Sequence, residues 1–466
     1  PLAIELAAAR TKFFQPAALL LRIDKALDFV SKGHRDLPER QKTLRAAIEW
    51  SYNLLSEEVK KAFRQLGIFK RSWTMDSADL VLSKDEINID IEELSERLLD
   101  VSLIKPMLVN HSAEPRFNML QTVHEFANEI LEKSPEFLKT KENYATYFYN
   151  LCVEAYDHLW TRNSQPWLDK IEFDYQNIRA AFHILIEIKE YDKAWHFIYL
   201  LSPYWTVRGG FSECRDWIET CGMHDESISN QLKDPVIKGR SLAWAGYCQL
   251  FLFDFNHGFG DLVLSESILE TAGDKVGLCY AYMFDGCYGS YLMRPDSEEK
   301  ILKGKALCDE LKDHIALGMY YLWSTEYFRQ KGQIDMVYAN VQSAIEIAKQ
   351  YGILYIQGAA YIIKFSFDCL NPNNDWTKTA AESIEMYQLF PLKGYKGLKG
   401  GAKSGLAYSY IKLGRLEEAE KPMMQALEYA RTSGELESNV YGVMEASTFY
   451  SLKGNAELAY TLFGAL

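Results

Sequence analysis

Several things are scarce or missing in this 466-residue sequence. Its eight cysteines, at positions 152, 214, 221, 248, 279, 287, 308 and 369, are scattered and form no Cys-x-x-Cys pair. In a chain this large, that reads as reduced, mostly buried thiols of a cytoplasmic protein. No run of 18 apolar residues occurs, so no segment reads as a membrane span. Positive charge is in deficit: 51 Lys and Arg stand against 64 Asp and Glu, a formal net charge of −13. A field of that sign repels phosphate backbones and argues against broad nucleic-acid binding. No Ser-His-Asp order, paired-carboxylate motif or Cys-His signature stands out, and with no Walker A or B motif this stretch is not read as an enzyme by itself. There is no signal peptide and no initiator Met. The sequence opens at Pro1 inside an amphipathic helical pattern and stops at Leu466 inside another, which reads as a fragment.

What is present is core material. With 48% hydrophobic and 14% aromatic residues, the chain can bury two or three domains, or one domain and a solenoid. Residues 2–10 are strong helix formers, and Pro16 suits the first turn of a second helix carrying Leu19, Leu20, Ile23 and Leu27. Residues 1–33 therefore read as the end of a helical bundle, closed by Lys32-Gly33-His34. Residues 34–134 read as a winged-helix domain. Its helices cover Thr43–Leu55, Val59–Ile68 behind the cap Ser56, a short helix Ala78–Leu82 behind Thr74 or Asp76, and Ile91–Leu99 behind Asp90. Leu103–Val109 and Arg116–Leu120 are strand candidates joined by the turn residues Asn110–Pro115, and Gln121–Lys133 closes the unit as a helix.

After a helical connector, 135–200, residues 201–466 read as tetratricopeptide-like helical hairpins. The pattern is small residues where paired helices touch, Tyr in the groove and Gly at the turn. It fits Leu406, Ala407, Tyr410, Gly414, Ala419, Met423 and Ala426, then Ala446, Tyr450, Gly454, Ala459 and Phe463. Weaker copies align Ser324, Tyr327, Gly332 and Ala344, and Ser202, Trp205, Gly209 and Cys214. The expected fold class is thus mainly α: a winged helix followed by an irregular α-solenoid. Such an array offers a long surface for a protein, peptide or small-ligand signal, and Trp205, Tyr327 and Tyr410 are the candidate partner-binding residues, along with Trp217 and Trp323. At helical spacing these rings also suit a core.

Three motifs invite sharper readings. Gly397-Leu398-Lys399-Gly400-Gly401-Ala402-Lys403-Ser404 is a near-miss P-loop, but Ala402 stands where the phosphate loop needs glycine, and no strand precedes it. It reads as a loop before a helix. Cys214, Cys221 and His224 suggest a metal, yet no second ligand pair lies nearby, so buried thiols fit better. The third winged-helix helix would be the DNA reader, but it carries Asp90, Glu92, Glu93, Glu96 and Asp100 against Arg97 alone. The basic cluster Lys32, His34, Arg35, Arg40, Lys42 and Arg45 lies ahead of it and reads as a solvated face. Direct nucleic-acid contact is not expected.

Several runs, taken together, resemble the bacterial STAND regulatory ATPases, the NB-ARC-like signalling proteins. They are Pro1–Arg10, Leu37–Ser56, Met119–Ala127, Trp167–Glu172 and Tyr175–Ala181. The resemblance implies a nucleotide-binding domain upstream, with ATP or ADP and Mg, while this stretch holds no Walker motifs and needs no cofactor of its own. It also implies that Pro1 matches the proline that packs on the nucleotide base. By the same resemblance, Met119, Leu120, Gln121 and His124 would form an interdomain switch where relatives carry a Met-His-Asp motif. Here Leu120 replaces the histidine, which puts direct phosphate contact in doubt. The implied function is the sensor half of a transcription or signalling regulator, with signal-dependent oligomers. The alternatives are a helical-repeat scaffold with no nucleotide switch, or the regulatory part of a multidomain cyclase.

Overall fold

The computed structural model describes residues 39–83, 87–107, 114–390, 395–433 and 436–464. Pro1, the bundle end at 1–33, the basic residues Lys32, His34 and Arg35, and most of the turn 110–115 lie outside them. The chain divides into two compact units. One runs through Leu151 and adds Lys170–Lys189; the other joins Cys152–Asp169 to Glu190–Leu466. The stretch anticipated as a connector, 135–200, is thus shared between the two.

The first unit begins with α1 (Glu39–Asn53) and α2 (Glu57–Leu66). The Ser56 hydroxyl caps α2 by accepting the Val59 N–H, and Glu57 and Glu58 sit favourably at the positive helix end. Strand β1 (Trp73–Thr74) runs into α3 (Met75–Val81), started by a reciprocal capping box between Thr74 and Ser77. Asp90 caps α4 (Ile91–Asp100). Strands β2 (Lys105–Met107) and β3 (Arg116–Asn118) follow, then α5 (Gln121–Glu132). The sheet order is β1-β3-β2, antiparallel throughout, with Phe117 paired to Trp73 on one side and Pro106 on the other. Pro106 fits because β2 is an edge strand with no second neighbour to serve. These elements pack around Phe63, Phe69, Trp73, Leu98, Phe117 and Val123.

Gly67, just past α2, lies against α5: a Cβ there would meet the Ala127 carbonyl carbon and the Asn128 nitrogen at 2.8 Å. Helices α6 (Phe137–Leu159) and α7 (Ser164–Glu187) then contribute to both units.

The second unit is a series of helices: α8 (Tyr191–Arg208), α9 (Phe211–Thr220) and α10 (Glu226–Ser229). Six hairpins follow: α11 (Pro235–Phe251) with α12 (Phe255–Ala272), α13 (Lys275–Tyr291) with α14 (Ser297–Leu311), and α15 (His314–Gln330) with α16 (Ile334–Tyr351). The last three are α17 (Leu354–Asp368) with α18 (Trp376–Leu389), α19 (Lys396–Lys412) with α20 (Leu416–Ser433), and α21 (Leu436–Leu452) with α22 (Ala456–Phe463). From α11 on, each odd-numbered helix packs on its hairpin partner and on the next odd-numbered helix.

The anticipated turn glycines take left-handed backbone angles, φ 70° at Gly332, 71° at Gly414 and 81° at Gly454, which a residue with a Cβ resists. Ala407, Ile411, Ala419, Met423, Ala446 and Phe449 form one buried cluster, with Tyr410 and Tyr450 packed at its edge. Twenty-two helices and three short strands among the described residues make the fold mainly α, with helical-hairpin repeats.

The near-miss P-loop needs correction. Residues 397–404 lie inside α19 rather than in a loop before it. Their glycines permit close helix packing: a Cβ at Gly401 would meet Ile362 at 2.6 Å.

Candidate functional site

The residues singled out from the sequence fall in separate places. Trp205 is not a surface residue. It is 1% exposed, with its ring edge-on to Trp217 at 5.5 Å, so it belongs to the core. Helix α8 is buried on nearly every side, and no face of it is left to present a ring to a partner. Tyr327 and Tyr410 are half-buried, on α15 and α19. Lys331 lies 5.3 Å from the Tyr327 ring, and Arg415 lies 4.6 Å from that of Tyr410.

In the first unit, Met119 is buried, Leu120 is the N-cap of α5 with no side-chain cap bond, and exposed Gln121 donates to Glu125. Half-buried His124 sits near the Gly67 and Phe69 backbone, and burial, aided by nearby Lys70, depresses its pKa. All five carboxylates of the α4 region are exposed, as is Arg97.

Sequence reading missed a buried polar junction in this unit. Arg116 of β3 donates from Nη1 to the Asp174 carboxylate at 3.2 Å and from Nε to Ser72 Oγ at 3.1 Å. Both charged side chains are 4% exposed. Asn177, one turn along α7, donates to the Ser72 carbonyl at 2.9 Å and to Asp174 at 3.1 Å. Its carbonyl oxygen accepts from the Lys70 N–H at 2.8 Å and from the Tyr144 hydroxyl at 3.0 Å. Every polar group is partnered, which lets an ion pair survive at this depth. The run Tyr175–Ala181 marked the place but not the chemistry.

In the second unit, aromatic rings from α11, α13, α15 and α17 converge. Tyr247 lies 4.6 Å from Phe284 and 5.2 Å from Trp323, and Trp244 lies 5.0 Å from Phe284. Into this surface reaches the turn between α6 and α7. Trp160 stacks on Trp244 at 6.4 Å and meets Tyr355 edge-on at 5.8 Å. Just before it, Tyr156 packs on Tyr199 at 4.5 Å; just after it, the Ser164 hydroxyl hydrogen-bonds Tyr395 at 3.2 Å. Aromatic spacing on the odd helices hinted at this surface, but nothing local in the sequence says that residues 156–164 fill it.

Charged groups are also buried along the array. Lys300 bridges Asp285 and Glu266, Arg294 donates to Asp285 at 2.8 Å, and burial raises the Glu266 pKa despite the lysine. Lys364 contacts Asp368 and Glu382, both at 2.8 Å. Glu445 contacts Ser404 through one oxygen while the other reaches no protein donor, and burial pushes its pKa up to about 7.

Cys214 and Cys221 are buried, with the Cys221 thiol pushed up to about 12 by burial, and His224 pairs with Asp261 at 3.2 Å. Among the described residues no cluster of His, Cys, Asp or Glu is arranged to hold a metal ion, and no helix is long and apolar enough to cross a membrane.

No family model matches the sequence. Over 299 residues the chain is 26% identical to a Mycobacterium tuberculosis protein named "Putative HTH-type transcriptional regulator", covering 62% of this chain and 33% of that protein. The chain thus spans about a third of the length of the curated relatives it matches first. An uncharacterised protein of the same organism is 29% identical over 138 residues, 29% of this chain and 35% of the other.

Among solved structures, the STAND protein with a tetratricopeptide repeat sensor from Pyrococcus horikoshii aligns over 95% of this chain and 71% of its own, at 14% identity and a TM-score of 0.45. NprR in complex with its peptide NprX aligns over 69% of this chain and 88% of its own, at 12% identity and a TM-score of 0.43.

Proposed function

We propose that this chain is the sensor and relay portion of a STAND-type regulatory ATPase. The repeats take a protein, peptide or small-ligand signal, and the first unit, read as a winged helix, passes their state to a nucleotide-binding domain upstream. The observation that carries the reading is the buried junction Arg116–Asp174–Asn177. It fixes α7 to the strand β3 and to the residues before β1, while the other end of α7 carries Ser164, bonded to Tyr395 of the repeats. One helix thus holds partners in both units. A change at one end thus has a continuous stretch of chain through which to bias the other, as coupling requires.

The resemblance of the runs around Met119–Ala127 and Tyr175–Ala181 to STAND proteins supports the same reading, as does the relative named as a transcriptional regulator. The exposed carboxylates on α4 make this unit a poor DNA reader, so the output function lies elsewhere in such a protein. Leu120 cannot donate to a phosphate, so no nucleotide contact is assigned to the described residues. ATP and Mg belong to the upstream domain, and the chain itself catalyses nothing.

The test uses a protein in which this chain is joined to the proposed upstream nucleotide-binding domain. With a fluorescent ADP analogue, Asp174→Asn and Asn177→Ala should speed nucleotide release by about fivefold or more, the low end of usual allosteric couplings. Unchanged release from folded variants would sink the relay. A protein that binds no nucleotide at all would instead favour the helical-repeat scaffold.

A further inference from the structure

The turn joining α6 to α7 is short, and its polar ties are few. Thr161 and Asn163 bond within the turn: Thr161 Oγ1 donates to the His158 carbonyl at 2.8 Å and accepts from the Asn163 N–H at 3.2 Å. His158 and Trp167 stack at 4.7 Å and 2°, so the tip closes on itself. What it gives to the repeats is one indole, Trp160, which is 4% exposed, the Ser164–Tyr395 contact and the approach of Arg162 to Gly352.

Around that indole the fit is apolar but not polar. The Trp160 and Trp244 Nε1–H groups are both buried and neither reaches a protein acceptor. A buried donor left without an acceptor weakens the packing that buries it. Gly352 shows how closely the tip approaches the repeats: a Cβ there would lie 2.7 Å from the Arg162 Cβ.

From these observations we infer that the converging aromatic face of α11, α13, α15 and α17 is an interaction surface whose occupant here is the chain's own segment Tyr156–Trp167, and that an outside partner enters by presenting an indole in place of Trp160. The partner class is a peptide or protein loop carrying tryptophan with a hydroxyl residue a few positions on. Indole against Trp244 and Tyr355 supplies the apolar area, and a hydroxyl against Tyr395 fixes register. Tethering gives the internal segment an effective concentration on the order of millimolar, so a free competitor must bind better or the tip must be loosened first. This deepens the sensor reading proposed above and rests on it for the meaning of displacement, though not for the surface itself.

The experiment uses the full chain and a labelled synthetic peptide copying residues 156–167, followed by fluorescence anisotropy. Wild type should bind the peptide weakly. Trp160→Ala, which empties the position, and Gly352→Asn, which crowds Arg162 while tolerating the left-handed φ of 73°, should each bind it at least tenfold more tightly. The same peptide with alanine at the tryptophan position should not bind. Equal affinity for all chains, or binding by none, overturns the proposal.

Hydrogen exchange on unmodified wild type gives an independent reading should a variant fail to fold. Amides 159–164 should exchange at least tenfold faster than those of α11 and α17. Equal protection would make the tip ordinary core and end the idea. Neither measurement involves nucleotide, so failure here is distinct from failure of the relay.

Discussion

Arg116 shows what a single side chain can hold. Its guanidinium meets Asp174 and Ser72 deep in the first unit, and Arg116→Met leaves the aspartate buried without its cation. Loss of one member of such a pair costs about 3–5 kcal/mol, so thermal unfolding should shift down by many degrees. Asp174→Asn, which keeps hydrogen-bonding capacity, should cost less.

Glu445 works in the opposite direction. Its pKa is raised to about 7 in the folded chain, so it binds a proton there that the unfolded chain has released by about pH 5. Stability from this group is therefore present below the ordinary carboxylate pKa and lost as pH rises through about 7. Glu445→Gln should leave stability at pH 4.5 nearly unchanged and raise it by roughly 2–3 kcal/mol at pH 8, measured by denaturant midpoint. Neither role was visible from sequence. Arg116 and Asp174 are 58 positions apart, and no local pattern pairs them. Trp205 misled for the same reason: its spacing fits a groove or a core equally well, and only the neighbouring Trp217 decides.

Single elements were far more legible. Ser56, Thr74 and Asp90 cap the helices they precede because the cap bond is made within three residues, so the signal is local. The turn glycines Gly332, Gly414 and Gly454 were legible on the same ground. Close approaches between elements were not. Gly67 gave no sign that α5 backbone lies against it, yet a methyl group there has nowhere to go. Gly67→Ala should cost about 1–3 kcal/mol although its φ of −63° suits alanine, and the loss should appear as a lowered urea midpoint. At Gly414, which has open space around it, the penalty of the same change should come from φ alone and be nearer 1 kcal/mol. The glycines of α19 misled in the reverse sense: they read as a loop before a helix, yet they lie within the helix, where close packing demands a missing side chain.

At the scale of the molecule, the mainly α character and the repeats followed from periodicity, while the division into units did not. Residues 135–200 look like uninterrupted helix in sequence, and nothing in that pattern says that Cys152–Asp169 packs with the repeats while Lys170–Lys189 returns to the first unit. The function rests on the same stretch. If the relay holds, Trp160→Ala in a protein that carries the proposed nucleotide-binding domain should change nucleotide release in the same direction as Asp174→Asn, whereas a change at the exposed Leu138 should leave it alone.

The shared hairpin also sets an order in time. During synthesis Trp160 leaves the ribosome well before Trp244 exists, and longer still before Tyr355. The tip must then wait, apolar and uncovered, while the first unit is already able to close around α7. Translation that stalls between the two halves would release chains with that indole bare, which makes residues 156–167 the natural handle for a chaperone and the first place such chains would stick to one another.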